Sequence, residues 1–349
     1  MNVTVHQRPG VYSAYDASSV VSGSGAGKQV GLVAVNAKAA ANEVKIVTSY
    51  DGAVNAFGQG TMAELVRLAL KNGAGAVAAV PIAGGEGYAD GFAALEGLED
   101  ITAVICDSTD GDVQKAMKQS VETSSANRRE RIAVAAGGAG ETVDQLIARA
   151  KALNHERVVL VAPGGVNQNG EAADGLGVAA AVAGAIAGES DPAVPLGGAV
   201  LTGLYGLSGR YSDGEMDRLI LGGVTPVESL AGTIGVVRGV TTRTTTGEAA
   251  DATWRDLTTI RIVDDVIPTL RRALRTKFQR AKNTAQSRGA IRAQVVLELE
   301  NKKAREIITG YENVTVTADS QDLARCLVDF SFTVAHGLNQ IWLTAHITV

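Results

Sequence analysis

A series of short apolar runs, separated by helix-patterned segments, limits the folds open to this chain more than any other feature. The runs are 29–36 (QVGLVAVN), 43–49 (EVKIVTS), 76–82 (AVAAVPI), 101–107 (ITAVICD), 131–136 (RIAVAA) and 157–162 (RVVLVA). Several are continuous and bounded by Gly, Pro or Asp, the pattern of strands buried on both faces of a parallel sheet. Between them Met62 to Lys71, Gly111 to Ser125 and Glu141 to Leu153 read as amphipathic helices. In the last, Val143, Leu146, Ile147 and Ala150 recur at helical spacing. Such alternation predicts an α/β domain over 28–245 with a doubly wound, mostly parallel sheet.

The pattern changes near Thr241. The stretch TTRTTTGEAADAT has no helical periodicity and reads as a hinge or exposed loop. Beyond it, Asp265 to Asn283 carries Ile267, Leu270, Leu274, Phe278 and Ala281 on one stripe, which predicts a helix. Alternating runs follow at 290–300 (AIRAQVVLELE), 313–317 (NVTVT) and 326–334 (CLVDFSFTV). Together they predict a second, α+β domain over 246–340 with an antiparallel sheet.

Two further strand patterns lie at the ends, Asn2 to Gln7 (NVTVHQ) and Ile341 to Val349 (IWLTAHITV). Both alternate β-branched or aromatic residues with polar ones, and neither is closed by a turn. Unpaired strand edges must be tucked into the chain's own sheet or given to a neighbour. The expectation is an N-terminal arm over 1–27 and a C-terminal arm strand over 341–349, both engaged between subunits. The residues expected to carry that contact are Val3, Val5, Val11, Tyr12, Ile341, Trp342, Leu343, Ile347 and Val349.

Composition bounds the rest. A length of 349 residues favours two domains, with three as the alternative. Aromatics make up 4% and glycines number 41, so Ala, Val, Leu and Ile must build the core. A net charge of −5 argues against general nucleic-acid binding. Cys106 and Cys326 show no metal-ligand spacing and fit thiols buried in strands in a reducing compartment. Met1 leads directly into polar residues, so no signal peptide is expected. The most apolar stretch, Leu176 to Gly188, is too short and too rich in Ala and Gly to span a bilayer. The expected product is soluble, made in its producer's cytoplasm, and not inserted in a membrane.

Catalytic equipment is scarce. Ser22 to Lys28 (SGSGAGK) departs from a phosphate loop at Ser22 and Gln29, and precedes a strand instead of following one. Gly137-Gly138-Ala139-Gly140 is better placed, yet the third glycine of a dinucleotide fingerprint falls on Val143. It reads as a strand-to-helix turn with Glu141 or Thr142 at the helix start. His6, His155, His336 and His346 accompany no nucleophile elbow. Asp107, Asp110 and Asp112 follow a strand end, where open α/β sheets place ligands, and otherwise suit turn and cap roles. No cofactor, metal or catalytic residue is assigned. An α/β enzyme binding a nucleotide or small molecule is the alternative reading, and another self-assembling tube or filament subunit is a second.

Between Val266 and Leu297 there is no acidic residue, while Arg271, Arg272, Arg275, Lys277, Arg280, Lys282, Arg288 and Arg292 are basic. This asymmetry fits either a solvated helix face or a contact with an acidic partner surface. Nucleic acid is disfavoured, because Phe278 is the one aromatic available for stacking.

Several segments resemble contractile phage tail sheath proteins, including those of phage-tail-like bacteriocins. Arg8-Pro9-Gly10-Val11-Tyr12 is similar to their opening. Ser212-Asp213-Gly214-Glu215-Met216-Asp217, Leu221-Gly222-Gly223-Val224 and Gly235-Val236-Val237-Arg238-Gly239-Val240-Thr241-Thr242 resemble the segment that closes their central domain. Arg261-Ile262-Val263-Asp264-Asp265-Val266, Leu270-Arg271-Arg272 and Arg288-Gly289-Ala290-Ile291-Arg292 resemble their C-terminal domain. The resemblance implies a central domain subtilisin-like in fold but not proteolytic. It implies a subunit that polymerises with itself as hexameric rings, stacked in a helical sheath around an inner tail tube protein. It also implies contacts with baseplate and tail-terminator proteins, assembly in a bacterial host, and contraction that drives the tube through a target envelope. On this reading Arg271, Arg272, Arg275, Lys277 and Arg280 face the tube.

Overall fold

A computed structural model describes residues 29–339. The arms, and with them Val3, Val5, Val11, Tyr12, Ile341, Trp342, Leu343, Ile347 and Val349, lie outside the described residues.

The first half alternates as its pattern predicts. In chain order come β1 (Gln29–Val35), β2 (Lys45–Val47), α1 (Tyr50–Phe57), α2 (Thr61–Lys71), β3 (Ala76–Ile82), α3 (Tyr88–Glu96), β4 (Ile101–Cys106) and α4 (Gly111–Ala126). Then follow β5 (Ile132–Ala136), α5 (Val143–Leu153), β6 (Val158–Ala162), α6 (Leu176–Gly188), β7 (Val200–Leu201), α7 (Asp213–Leu221), β8 (Val224–Leu230) and β9 (Thr233–Val236). The nine-stranded sheet has the order β2-β3-β1-β4-β5-β6-β8-β9-β7. From β3 through β8 neighbouring strands are parallel, while β2, β9 and β7 add antiparallel edges. The chain winds to one side of β1 and then to the other, so helices cover both faces. Residues of α1, α2 and α6 fill one core, and those of α3, α4, α5 and α7 fill the other. This is the doubly wound, mostly parallel sheet expected from the sequence.

Helix starts explain the local order. Asp110 caps α4, accepting from the backbone N–H groups of Asp112 and Val113. Thr142 with Gln145 and Ser212 with Glu215 form capping boxes on α5 and α7. The apolar Leu176–Gly188 run is a helix buried on nearly every side. Its small residues allow backbone contact with α2: a Cβ on Gly184 would sit 2.3 Å from the Ala69 carbonyl oxygen.

After β9, a short hairpin of β10 (Thr245–Thr246) and β11 (Ala249–Ala250) leads into α8 (Leu257–Phe278), α9 (Ala285–Ala304), β12 (Ile308–Ala318) and β13 (Cys326–Val334). β12 and β13 pair antiparallel as a sheet of their own. A third core joins Ile262, Val266, Ile267 and Leu270 of α8 to Val295 and Leu299 of α9 and to Ile308 and Val314 of β12. The start of α8, through Leu257, Ile260 and Val263, belongs instead to the first core. One helix thus reaches from the central sheet into the C-terminal unit.

Four expectations need correction. Residues 290–300 are not a strand but the middle of α9. Val295 and Leu299 lie one turn apart on the buried side, and the flanking Ala, Gln, Arg, Leu and Glu are strong helix formers. The helix expected from Asp265 begins eight residues earlier at Leu257, within a stretch whose Thr and Asp residues hid its buried face. The stretch from Thr241 does not begin as an exposed hinge: Thr241 and Thr242 are fully buried. Their hydroxyls donate to the Trp254 and His155 carbonyls, satisfying polar groups that composition assigns to solvent. The run 43–49 shrinks to the antiparallel edge strand β2, with Ile46 exposed.

Candidate assembly surface

The crevice at the carboxyl ends of the parallel strands is where an α/β enzyme would hold its ligand. Here the protein's own side chains occupy it. After β5, the Gly138 N–H donates to Glu141 at 2.9 Å, so a carboxylate of the chain sits on the amide that a phosphate would need. Arg149 pairs with Glu141 and donates to the Thr109 carbonyl at 2.7 Å. Gln114 completes the network, donating to the Ala136 carbonyl at 2.8 Å. Arg149 and the Gly138 N–H hold the Glu141 carboxyl below its ordinary range against the opposing pull of desolvation.

The acidic trio is likewise engaged. Asp107 accepts from the Tyr88 hydroxyl at 2.6 Å and the Val35 N–H at 2.9 Å. Asp110 caps α4, and Asp112 pairs with Lys115. His155 is half-buried beside Glu122, 3.1 Å from Nε2, while its Nδ1 accepts from the Arg157 N–H at 3.0 Å. Burial holds its pKa down against the pull of Glu156 and Glu122. Cys106 is buried in β4, and desolvation pushes its thiol up to about 12, leaving it unreactive. We therefore expect ATP, GTP and NAD(P) each to leave the thermal unfolding midpoint unchanged. A saturable upward shift with any of them would overturn this reading.

Charge instead gathers where the C-terminal unit meets the central sheet. Arg157, at the start of β6, donates both terminal nitrogens to Asp264 of α8 at 2.6 and 2.8 Å. Arg271 of α8 donates to Glu130, before β5, at 3.1 Å. Arg243 donates to Glu156 at 2.7 Å, and Lys302 of α9 pairs with Asp265. Burial pushes the Asp264 carboxyl up to about 6, outweighing the pull of Arg157, with Glu130 and Glu156 adding to the rise. Such a pair contributes little net stability while fixing where the helix docks.

These contacts sort the basic residues of the helix. Arg271 lies in the seam, its side chain 11% exposed, and Lys277 reaches Gln294 of α9. Arg272 and Arg275 of α8, and Arg280 two residues beyond its end, are exposed. The apolar stripe anchors the helix as its spacing implies, with Ile267 and Leu270 buried and Leu274 half-buried.

The other feature is the β12–β13 sheet. Among the described residues it has two strands and no third. Residues of β13 alternate between half-buried and exposed along the whole strand. Phe330 and Phe332 stack with ring centroids 6.3 Å apart on the side facing the third core, and both remain half-buried. A two-stranded sheet with an incompletely covered apolar row is poorly stable alone and suited to accepting further strands.

Residues 82–242 match the model of the phage tail sheath protein central domain, and residues 249–348 match that of the phage tail sheath C-terminal domain. No curated protein matches the chain in sequence. Among solved structures, the chain is similar to the sheath tail protein from Desulfitobacterium hafniense, with a TM-score of 0.70 and 13% identity over 93% of this chain and 100% of that one. It is also similar to the anti-feeding prophage helical sheath in its contracted state, with a TM-score of 0.73 and 17% identity over 98% of this chain and 99% of that one. A third likeness is to the sheath of PVC, an extracellular contractile injection system, also contracted, with a TM-score of 0.68, 18% identity and 99% of each chain covered.

Proposed function

The chain belongs to the phage tail sheath family, and on that premise we propose that it polymerises as stacked hexameric rings around an inner tube and contracts to drive the tube through a target envelope. It is a structural subunit of a contractile sheath, not an enzyme. No helix among the described residues is long and apolar enough to cross a membrane.

The observation that carries the proposal is the unfinished β12–β13 sheet, in a chain whose sequence has strand patterns at both ends. Arms from neighbouring subunits add strands to it and link the subunits into a mesh. Each backbone hydrogen bond nets about 1 kcal/mol, so one exchanged strand contributes a few kcal/mol. Repetition across the lattice keeps the mesh closed while the faces between central domains slide. The extended lattice is metastable, and a baseplate trigger releases it over a kinetic barrier. The inner tube, the baseplate and tail-terminator proteins, and assembly in a bacterial cytoplasm belong to the same proposal. Negative-stain microscopy of the purified protein tests it: hollow sheath-like tubes are expected, and monodisperse particles or solid filaments would overturn it.

The basic run faces the tube with the exposed Arg275, near the end of α8, and Arg280, two residues past it. Exposed pairs contribute roughly 0.2–1 kcal/mol each, which suits a contact that must release during contraction. Reversing charge with Arg275→Glu and Arg280→Glu should leave the subunit folded yet weaken co-sedimentation with the tube protein. Added salt should weaken the wild-type contact as well, because the Debye length shortens. Co-sedimentation of the double variant at wild-type levels would make this helix a solvated face.

A further inference from the structure

The joint between the central sheet and the C-terminal unit contains one side chain whose partners depend on its protonation. We propose that His155 makes this joint sensitive to acid: a second proton on its ring exchanges its hydrogen-bond partners and loosens the docking of α8 without unfolding the central domain. The groups involved lie inside one subunit, so the joint responds whether or not subunits assemble.

The neutral ring is locked. Nδ1 accepts from the Arg157 N–H at 3.0 Å, so the ring proton sits on Nε2, 3.1 Å from the Glu122 carboxylate of α4. Thr242 grips the same residue twice: its hydroxyl oxygen accepts from the His155 backbone N–H at 3.0 Å and donates to the His155 carbonyl at 3.1 Å. Next in the chain, Glu156 accepts from Arg243 at 2.7 Å, and Arg157 reaches across to Asp264 of α8. Residues 155–157 thus tie α4, the segment after β9 and α8 to the start of β6.

A proton on Nδ1 removes an acceptor from the middle of this arrangement. Two N–H groups would then face each other at 3.0 Å, and an imidazolium has no lone pair to offer. A buried donor stripped of its acceptor is costly, so the arrangement has to change. Another acceptor stands close, because the Glu156 carboxylate is 3.9 Å from Nδ1. Turning to it, the imidazolium bridges Glu122 and Glu156 through charge-assisted hydrogen bonds. That move draws Glu156 off Arg243 and releases the Arg157 main chain. The Arg157 guanidinium shifts with its backbone, and its hold on Asp264 weakens.

The charges around the ring set where the change falls. Glu156 and Glu122 favour the imidazolium, whereas Lys118 of α4 and Arg157 oppose it. Arg243 and Asp264 act one step away, through Glu156 and Arg157. Burial outweighs the two carboxylates and holds the ring below the ordinary histidine value of about 6.5. A base depressed in this way contributes its full stability above that value and loses it as pH falls toward the folded pKa. The joint is closed at neutral pH and opens in mild acid.

Amide exchange of dilute full-length protein, corrected for its intrinsic pH dependence, is compared at about pH 7.5 and about pH 5.5, on either side of the ordinary histidine value. Peptides covering 241–246 and 257–270 should exchange several-fold faster at the lower pH, while those covering β1 and β3 keep their protection. His155→Asn places a carboxamide oxygen where Nδ1 accepts and takes up no proton, so acid should no longer accelerate exchange at the joint. Asp264 is kept in that variant and its own titration has the opposite sign, so it cannot mask a failure. Glu122→Gln supplies an independent arm that decides the matter should His155→Asn not fold. It keeps an acceptor for the Nε2 proton and removes a charge that favours the imidazolium, so the onset should move to lower pH. No acceleration in the wild type, equal acceleration in His155→Asn, an onset unmoved by Glu122→Gln, or loss of protection throughout the central sheet would each overturn the proposal.

Discussion

Deleting residues 341–349, or residues 1–15, should yield a folded subunit that no longer polymerises. Among the described residues three hydrophobic cores close with side chains from 29–339 alone, and these are expected to hold the subunit together after either deletion. Circular dichroism and a cooperative thermal transition should therefore be close to wild type. Assembly should differ sharply. A lost strand forfeits only a few kcal/mol at each contact, given about 1 kcal/mol per backbone hydrogen bond. That loss recurs at every subunit, and a linked array fails when each link falls below the entropy of association. Sedimentation velocity measures the outcome directly. Sheath-like polymers from both truncations would refute the arms as the basis of assembly.

The second large effect is expected at the seam. Asp264→Ala should destabilise the subunit by about 3–5 kcal/mol, because it strands the Arg157 guanidinium, whose side chain is only 4% exposed. Replacing both partners, with Arg157→Met and Asp264→Leu, should recover most of that loss, since burying a charge pair costs about as much as the pair returns. Chemical denaturation of the single and double variants supplies the cycle, and a double variant as unstable as Asp264→Ala would refute the argument. A pH dependence follows. With the Asp264 carboxyl raised to about 6, its contribution is present in full below its unfolded value near 3.9. It is lost as pH rises through about 6. The wild type should therefore lose stability relative to the double variant between about pH 4 and 7. The opposite slope would mean that Arg157, not burial, governs this carboxyl.

The seam also separates residues that the basic run presents alike. By sequence Arg271, Arg272, Arg275, Lys277 and Arg280 look equivalent, one cationic face on one helix. Glu130 is 141 positions away from Arg271, and no local pattern announces that the fold brings the two together. The same holds for Arg157 and Asp264, which lie 107 positions apart. α9 was misread for a related reason. Alternation over 290–300 fits a strand as well as a helix in a short window, and the arbiter is which residues meet the third core. Val295 and Leu299 meet it, four residues apart.

Local patterns determined the elements whose burial is the same on every side or repeats at one period. The parallel strands β1, β3, β4, β5 and β6 are apolar throughout because both faces are covered. The turn glycines, the caps at Asp110 and Thr142, and the stripe of α8 were legible because each depends on neighbours within a few residues. Family membership was legible too, in segments spread across the chain. Only the tertiary structure decided that Glu141 fills the glycine turn, that Arg271 pairs with Glu130 in the seam, and that β12 is bulged and tied to α9 while β13 has no second partner strand among the described residues. Those facts depend on which distant groups are brought within 3 Å of one another. Charge pairing and edge accessibility follow the fold, whereas hydrophobic periodicity helps to create it.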